Sequence, residues 1–286
     1  MRTMFGNNER WCSKMDDIRE VLFQNISHRR FRAALSAERA GVLSGVAAAQ
    51  ERAVALGVEL EICKREGDTV GRGERIGNLL AAPLSIAMAE ESIIGTLAKV
   101  SGIATAAQTA VLLADGRSRI VSGSWKKMPH QLKAPVRQAV AAGGASFRIA
   151  DTPMIYLDKN FIRMLGSISA ALEAAKPFTE HTKVIQIRSE DGDVRIETEA
   201  ALLGGANILM VDTGKLADLD CCIAHLTAMG AREQVQVAFA GNVRLCDIPS
   251  LCERNVDILC IGKEIIDAPL LDLKLDVIGE GDRIWD

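Results

Sequence analysis

The sequence lacks the features of a membrane protein, a secreted protein or a nucleic-acid-binding protein. The formal net charge of the 286 residues is −3, so no global positive field favours nucleic acid as a partner. No apolar run reaches the length that spans a bilayer, and the first residues lack the apolar core of a secretory signal. These absences predict a cytoplasmic protein with neither a membrane partner nor a nucleic-acid partner.

Disulfide and metal-ligand spacings are absent as well. The seven cysteines are scattered and odd in number, and none forms a CxxC pair. The four histidines are isolated from one another. We therefore expect free thiols in a reducing compartment, with a zinc site or a catalytic thiol as the alternatives.

The first 115 residues mix helical and strand patterns. Apolar residues recur at helical spacing over 18–35 and 47–56, which predicts two helices. Residues 58–62 alternate as a half-buried strand does, and 75–80 form another short strand. An Ala-rich run over 84–109 predicts a long helix, interrupted near Ser101 and Gly102.

From about residue 116 short apolar strands alternate with helices. Strands are predicted over 118–122, 146–150, 154–157, 183–187, 208–211, 234–239 and 258–261. Helices are predicted over 131–142, 167–175, 195–203, 216–229 and 244–254. This alternation indicates a parallel sheet covered by helices, in a closed or nearly closed α/β barrel.

In such a barrel the chemistry lies at the carboxyl ends of the strands. Those ends hold Lys126, Arg148, Asp158, Lys159, Arg188, Asp212, Gly241 and Gly262. The segment SWKKMP at residues 124–129 follows the first of these strands, and a second cationic segment ends at Arg148. Cations and helix N-termini that converge in this way bind phosphate, although a solvated basic loop is the alternative.

Several motifs together resemble one known family. The runs AERAGVLSG at 37–45, EGD at 66–68 and SGIAT at 101–105 precede Lys126, which stands three residues before Pro129. The later positions that match are the GG pair at 143–144, Arg148, Asn160, Asp212, Gly241 and Gly262. With these motifs, over most of its length, the chain resembles the quinolinate phosphoribosyltransferases, the carboxylating nicotinate-nucleotide pyrophosphorylases of pyridine nucleotide biosynthesis.

The resemblance implies an α/β fold with an N-terminal α/β sandwich over 1–115 and an incomplete barrel of the type II phosphoribosyltransferase kind over 116–267. The segment 268–286 would pack back on the sandwich. The family is one of glycosyltransferases: they join quinolinate to phosphoribosyl pyrophosphate with Mg²⁺ and release pyrophosphate and carbon dioxide. No organic cofactor is expected. The family shares its active sites across dimers, so we expect a homodimer or a higher homo-oligomer.

The chain departs from the family at the quinolinate side of the site. Trp125 replaces an arginine before Lys126, and Phe147 replaces a histidine before Arg148. Glu91 lies near the position at which the family contributes an arginine across the dimer. Quinolinate is a dicarboxylate, and losing two charge-assisted hydrogen bonds costs about 3–6 kcal/mol, or ~10²- to 10⁴-fold in affinity. The substitutions predict an acceptor less anionic than quinolinate, stacked on Trp125 and Phe147.

The phosphoribosyl side departs as well. The chain reads DKNF at 158–161 where the family reads KDNH, and a lysine moved by one position along a strand would point to the opposite face. Gln186 replaces a glutamate on the metal side, whereas Asp212 keeps the second acid and could bind Mg²⁺ at a weakened site. A Ser-Gly-Gly phosphate loop has become Ala240-Gly241-Asn242.

These observations favour a phosphoribosyltransferase-like enzyme acting on a small phosphorylated substrate. The predicted catalytic residues are Lys126, Arg148 and Asp212. The predicted substrate-binding residues are Glu91, Ser124, Trp125, Lys127, Phe147, Asp158, Lys159 and Gln186, and the predicted phosphate-binding residues are Gly241, Asn242 and Gly262. The alternatives are an inactive homologue that binds a ligand or regulates, a genuine nicotinate-nucleotide pyrophosphorylase, and a barrel enzyme with Lys126 or Lys159 as a Schiff-base lysine.

Overall fold

The computed structural model describes residues 17–190 and 192–285, so Cys12 lies outside the described residues. The first elements are α1 (Ile18–Leu22), β1 (Phe31–Ala37), β2 (Gly41–Val42), α2 (Val46–Ala55), β3 (Glu59–Ile62), β4 (Thr69–Val70), β5 (Arg75–Ala81) and α3 (Pro83–Ala114). The prediction of one helix over 18–35 is wrong, because α1 ends at Leu22 and β1 follows. β1 is hydrogen-bonded to a strand on each side, and this pairing overrides the helical spacing of its apolar residues.

The remaining elements alternate between strand and helix. They are β6 (Arg119–Val121), α4 (His130–Ala142), β7 (Met154–Leu157), α5 (Lys159–Leu165), α6 (Ile168–Ala175), β8 (Thr182–Ile187), α7 (Val194–Leu203), β9 (Ile208–Asp212), α8 (Leu216–Ala228), β10 (Gln236–Ala240), α9 (Ile248–Cys252), β11 (Ile258–Cys260), α10 (Lys263–Ile266) and β12 (Leu273–Glu280). Most of the predicted elements are present within two residues. The predicted helix over 244–254 is instead a 3₁₀ turn, Leu245–Asp247, followed by α9.

The first domain is built on an antiparallel sheet with the strand order β12-β1-β5-β3. Leu35 of β1, Leu79 of β5 and Leu97 of α3 are fully buried in the core between this sheet and the helices. β12 comes from the end of the chain and pairs with β1 along its whole length. The domain limits at residues 115 and 267 stay a prediction.

Helix α3 links this domain to the barrel. It runs through 32 residues without a break, so the predicted interruption near Ser101 and Gly102 is wrong. Gly102 serves a close approach instead, because a Cβ there would overlap the carbonyl oxygen of Pro269. By length and composition α3 could cross a membrane, contrary to the sequence expectation, but half of its most apolar window is buried within the protein. We interpret α3 as a core helix.

The barrel is a six-stranded parallel sheet with the order β6-β11-β10-β9-β8-β7. Its strands are almost wholly apolar, and Ile185, Leu209 and Val237 are fully buried. β6 and β7 are the two edges, so the barrel is incomplete, as the resemblance implied. The predicted strand over 146–150 is wrong: Ser146 alone forms a bridge, to Val121 of β6. The six described cysteines are free, as predicted for them.

Candidate active site at the barrel mouth

The carboxyl ends of the parallel strands bring most of the predicted residues to one mouth. Ser124 begins a 3₁₀ helix, Ser124–Lys127, three residues after the end of β6. Its hydroxyl lies against Gly262, after β11, where a Cβ would overlap the serine Oγ. The loops after β9 and β10 touch in the same way: Gly214 donates its N–H to the carbonyl of Ala240 at 3.1 Å, and Gly241 has the left-handed φ of 109° that this approach requires.

One side of the mouth is an aromatic–arginine cluster, which we define as Trp125, Phe147, Arg137 and Arg148. The indole N–H of Trp125 donates to the backbone carbonyl oxygen of Phe147 at 2.8 Å, which holds the indole against the backbone of Phe147. The guanidinium carbon of Arg137 lies 4.8 Å from the Trp125 ring centroid and 6.0 Å from that of Phe147. Arg148 approaches Phe147 to 6.0 Å as well. These are cation–π distances.

The local sequence explains how Arg137 reaches Trp125. Pro129 follows the 3₁₀ helix and precedes the first residue of α4, where its fixed φ is compatible with a helix start. Arg137 lies on the second turn of α4, beside the buried Val136, and is half-buried. Neither Arg137 nor Arg148 forms an ion pair with a residue that the structure describes. Both guanidinium groups are therefore available to an anionic ligand.

The other side of the mouth is a polar network on β8 and β9. The backbone N–H of Lys159 donates to Gln186 Oε1 at 2.7 Å, and Gln186 Nε2 donates to Asp212 Oδ2 at 2.5 Å. Arg188 Nη1 donates to Asp212 Oδ2 at 3.3 Å and to the Asp212 carbonyl oxygen at 3.1 Å. Asp212 is thus paired with a guanidinium and an amide.

Tyr156 of β7 lies between the two sides. The Lys126 ammonium is 5.7 Å from its ring centroid, so a residue that follows β6 reaches across the open edge of the barrel to β7. Burial raises the pKa of the Tyr156 hydroxyl well above its usual value, and the carboxylate of Asp212 adds to the effect. The hydroxyl therefore stays protonated at neutral pH and can donate a hydrogen bond.

A catalytic thiol at this mouth is disfavoured by the chemistry of Cys260. Burial raises the pKa of the Cys260 thiol to about 12, and Asp212 raises it further. The thiolate is the nucleophilic form, so Cys260 is unreactive at neutral pH.

Three predicted site residues have surroundings that differ from the expectation. Lys159 is not in a strand but is the first residue of α5, so the argument that it points to the opposite face of a strand is wrong. Asp158 is the N-cap of α5 and accepts from the backbone N–H groups of Asn160 and Phe161. Glu91 is exposed on α3 and pairs with Arg19. It could contact the acceptor only in the site of a second subunit.

The sequence analysis did not select Arg137, Arg188 and Tyr156 as site residues. Arg188 was named among the charged residues at the strand ends but was not carried into the predicted site, although its position there would have justified it. Arg137 and Tyr156 carried no motif, because each gains its place from packing against Trp125 or Lys126. Lys127 is exposed, and Asn242 has a left-handed φ of 56° beside Gly241. The phosphate-binding roles of Gly241, Asn242 and Gly262 stay predictions.

Comparison with known proteins places the chain in a family. The family models for the N-terminal and C-terminal domains of quinolinate phosphoribosyl transferase match residues 17–101 and 103–276. A probable carboxylating nicotinate-nucleotide pyrophosphorylase of Methanothermobacter thermautotrophicus is 26% identical over 285 residues, covering 93% of this chain and 99% of that protein. The carboxylating nicotinate-nucleotide pyrophosphorylase of Homo sapiens is 25% identical, covering 87% of this chain and 82% of that protein.

Solved structures agree on the fold. The nicotinate-nucleotide pyrophosphorylase of Ehrlichia chaffeensis superposes with a TM-score of 0.77 at 18% identity, covering 93% of each chain. That of Pyrococcus furiosus superposes with a TM-score of 0.75 at 19% identity, covering 98% of this chain and 79% of the other. With both domain models matched along nearly all of the described residues, the chain belongs to the quinolinate phosphoribosyl transferase family.

Proposed function

We propose that this chain is a cytoplasmic phosphoribosyltransferase whose acceptor is an aromatic nitrogen heterocycle less anionic than quinolinate. The donor is phosphoribosyl pyrophosphate, and the acceptor lies at the aromatic–arginine cluster. The observation that carries the proposal is the hydrogen-bonded pair of Trp125 and Phe147, which presents aromatic surface where the family presents an arginine and a histidine.

The cluster favours an acceptor with a single acid group. The guanidinium carbon of Arg137 lies 4.8 Å from the Trp125 ring centroid, and Arg137 has no acidic partner among the described residues, so its N–H groups can bind one carboxylate. Each charge-assisted hydrogen bond contributes about 1.5–3 kcal/mol, so one such bond from an arginine raises the affinity for the acceptor by roughly 10- to 150-fold. A heterocycle with one carboxylate, stacked on the aromatic pair, uses both features.

Quinolinate itself is the second candidate, and one observation favours it. Arg137 and Arg148 both lie within 6.0 Å of the Phe147 ring, so two guanidinium groups could meet two carboxylates. The curated relatives reported above carry the name of that activity. The two candidates differ in the number of acid groups that the acceptor needs.

A panel of acceptors separates them. Pyrophosphate release would be measured with phosphoribosyl pyrophosphate and, in turn, pyridine-2,3-dicarboxylate, pyridine-3-carboxylate and pyridine-3-carboxamide. We expect turnover with the monocarboxylate or the amide, and a kcat/KM for the dicarboxylate at least about tenfold lower. A dicarboxylate that is the best of the three refutes the proposed acceptor. No release with any acceptor, together with no thermal stabilisation by phosphoribosyl pyrophosphate, indicates an inactive homologue.

A substitution tests the aromatic surface directly. Trp125→Arg restores the guanidinium that the family carries, and we expect it to raise kcat/KM for the dicarboxylate relative to the other acceptors by about tenfold or more. The matched control is Trp285→Arg, at an exposed tryptophan near the end of the chain that bonds Glu61. Equal changes of kcat/KM in the two variants would show that Trp125 does not contact the acceptor.

The proposed assembly is a homodimer or a higher homo-oligomer. It rests on the family's shared sites and on the exposed apolar residues Ile18, Val21 and Leu22 of α1. Sedimentation at several protein concentrations would measure it, and a monomer at micromolar concentration would contradict it.

A further inference from the structure

The residues present do not fit the Mg²⁺ ion that the resemblance implies. No group of three or more His, Cys, Asp or Glu side chains that could hold a metal occurs among residues 17–190 and 192–285. Asp212 is the acid retained from the predicted metal site, and its partners are the amide of Gln186 on β8 and the guanidinium of Arg188, the residue after β8. Magnesium selects carboxylate, phosphate and water oxygens in an octahedral arrangement.

The hydrogen-bond network fixes which end of Gln186 faces Asp212. The backbone N–H of Lys159 can only donate, so the atom that it meets at 2.7 Å is Gln186 Oε1. The amide nitrogen is therefore the atom that faces Asp212, and it donates to the carboxylate. An amide nitrogen is a poor metal ligand, and the amide oxygen is already engaged. Gln186 thus positions Asp212 as an acceptor and offers no oxygen to a cation.

Arg188 holds a positive charge at the place where the ion would lie. Its Nη1 contacts both the carboxylate and the carbonyl oxygen of Asp212. Its backbone is fixed in turn, because the buried carboxylate of Glu197 accepts the N–H groups of Arg188 at 2.8 Å and of Ser189 at 2.9 Å. A divalent ion bound to Asp212 would be repelled by this guanidinium.

The space beside Arg188 is suited to an anion. A small cavity of about 110 Å³ is lined by the cations Arg188, Lys159 and Arg163 and by the acids Glu190 and Glu197, of which Glu197 is already bound to backbone N–H groups. Glu190 offsets part of this charge, since it pairs with Arg163 at 2.7 Å and lies 3.6 Å from Arg188 Nε. Arg188 Nη2 makes no hydrogen bond to any residue within the described ranges, and Lys159 makes no ion pair there. Two cationic groups therefore face the cavity with donors to spare.

We propose that Arg188 replaces the protein-bound divalent ion and binds the pyrophosphate group of the donor directly. This inference rests on the proposed phosphoribosyl transfer. In that transfer the lone pair of the acceptor ring nitrogen forms the new bond to the anomeric carbon of the ribose. The bond from that carbon to the pyrophosphate oxygen breaks, and its electron pair leaves on the pyrophosphate. The guanidinium N–H groups of Arg188 bind the charge that develops there, as arginine does for phosphate oxygens.

The test uses the full chain with sodium pyrophosphate and with sodium phosphoribosyl pyrophosphate as probes. Melting temperature and titration calorimetry would be measured in excess EDTA and in MgCl₂. We expect wild-type protein to bind both probes in EDTA with a Kd within about threefold of that in MgCl₂. Arg188→Gln should weaken binding in EDTA by at least about tenfold. The control Arg117→Gln changes an exposed arginine just before β6, at the opposite end of the barrel, and should bind as wild type does.

The outcomes separate this inference from the proposed function. Binding of both probes that requires MgCl₂ overturns the role of Arg188 and leaves the phosphoribosyl donor in place. Binding in EDTA that survives Arg188→Gln also overturns it. Absence of binding in both conditions refutes the donor, and with it the proposed function. Because the wild-type comparison needs no substitution, the inference remains testable if Arg188→Gln fails to fold.

Discussion

Substitution of Arg137 by alanine is the most direct test of the acceptor side. Arg137 has no acidic partner within the described ranges, and its guanidinium carbon lies 4.8 Å from the Trp125 ring. Its removal from the free protein costs a partly exposed cation–π contact, about 0.5–1 kcal/mol. Its removal from the complex costs in addition a charge-assisted hydrogen bond to the acceptor carboxylate, about 1.5–3 kcal/mol. We therefore expect a small loss of stability and a large loss of acceptor affinity.

The assay is steady-state pyrophosphate release with the acceptor that the panel selects. The expected result for Arg137→Ala is an acceptor KM raised by roughly 10- to 150-fold, with the KM for phosphoribosyl pyrophosphate changed by less than about threefold. Arg137→Lys keeps the charge but loses the planar fork, so its acceptor KM should lie between those of wild-type protein and Arg137→Ala. Arg117→Ala is the matched control. An acceptor KM that Arg137→Ala leaves unchanged would refute the reasoning, and so would an equal rise in both KM values.

Three further predictions concern the scaffold and the thiols. Gly102→Ala should lower the free energy of unfolding, measured with urea, by about 1–3 kcal/mol, because its Cβ would overlap the Pro269 carbonyl oxygen. Gly95→Ala lies on the same helix with open space around it, and should raise the free energy of unfolding by about 0.5–1 kcal/mol. Glu197→Ala should cost about 3 kcal/mol in the same assay, because it leaves three partly buried N–H groups, those of residues 188–190, without their acceptor. The exposed Glu199→Ala on the same helix should change stability by less than about 0.5 kcal/mol. Iodoacetamide at pH 8 should alkylate the exposed Cys63 and spare Cys260, whose pKa is raised to about 12. Peptide mass spectrometry would identify the alkylated cysteines, and rapid labelling of Cys260 would contradict its raised pKa.

Much of the barrel could be predicted because its signals are local. Each parallel strand is a short apolar run bounded by turn residues, and β7 begins and ends at the predicted residues 154 and 157. The charged residues at the strand ends followed from the rule that parallel strands end at one mouth. Errors occurred where pairing or packing acts at long range. β1 reads as helix until β5 and β12 pair with it, and Gly102 reads as a helix break until Pro269 packs against it.

By itself the sequence determined the family and the α/β class. It also determined that Trp125 and Phe147 occupy positions where the family was expected to have an arginine and a histidine. These properties depend on motifs and spacings that are readable one residue at a time. Only the tertiary structure decided what those residues contact. Arg137 comes to Trp125 because α4 turns back after Pro129, and Arg188 meets Asp212 because β8 and β9 are adjacent in the sheet. The charge balance of the mouth depends on distances between side chains, which the linear order of residues does not contain.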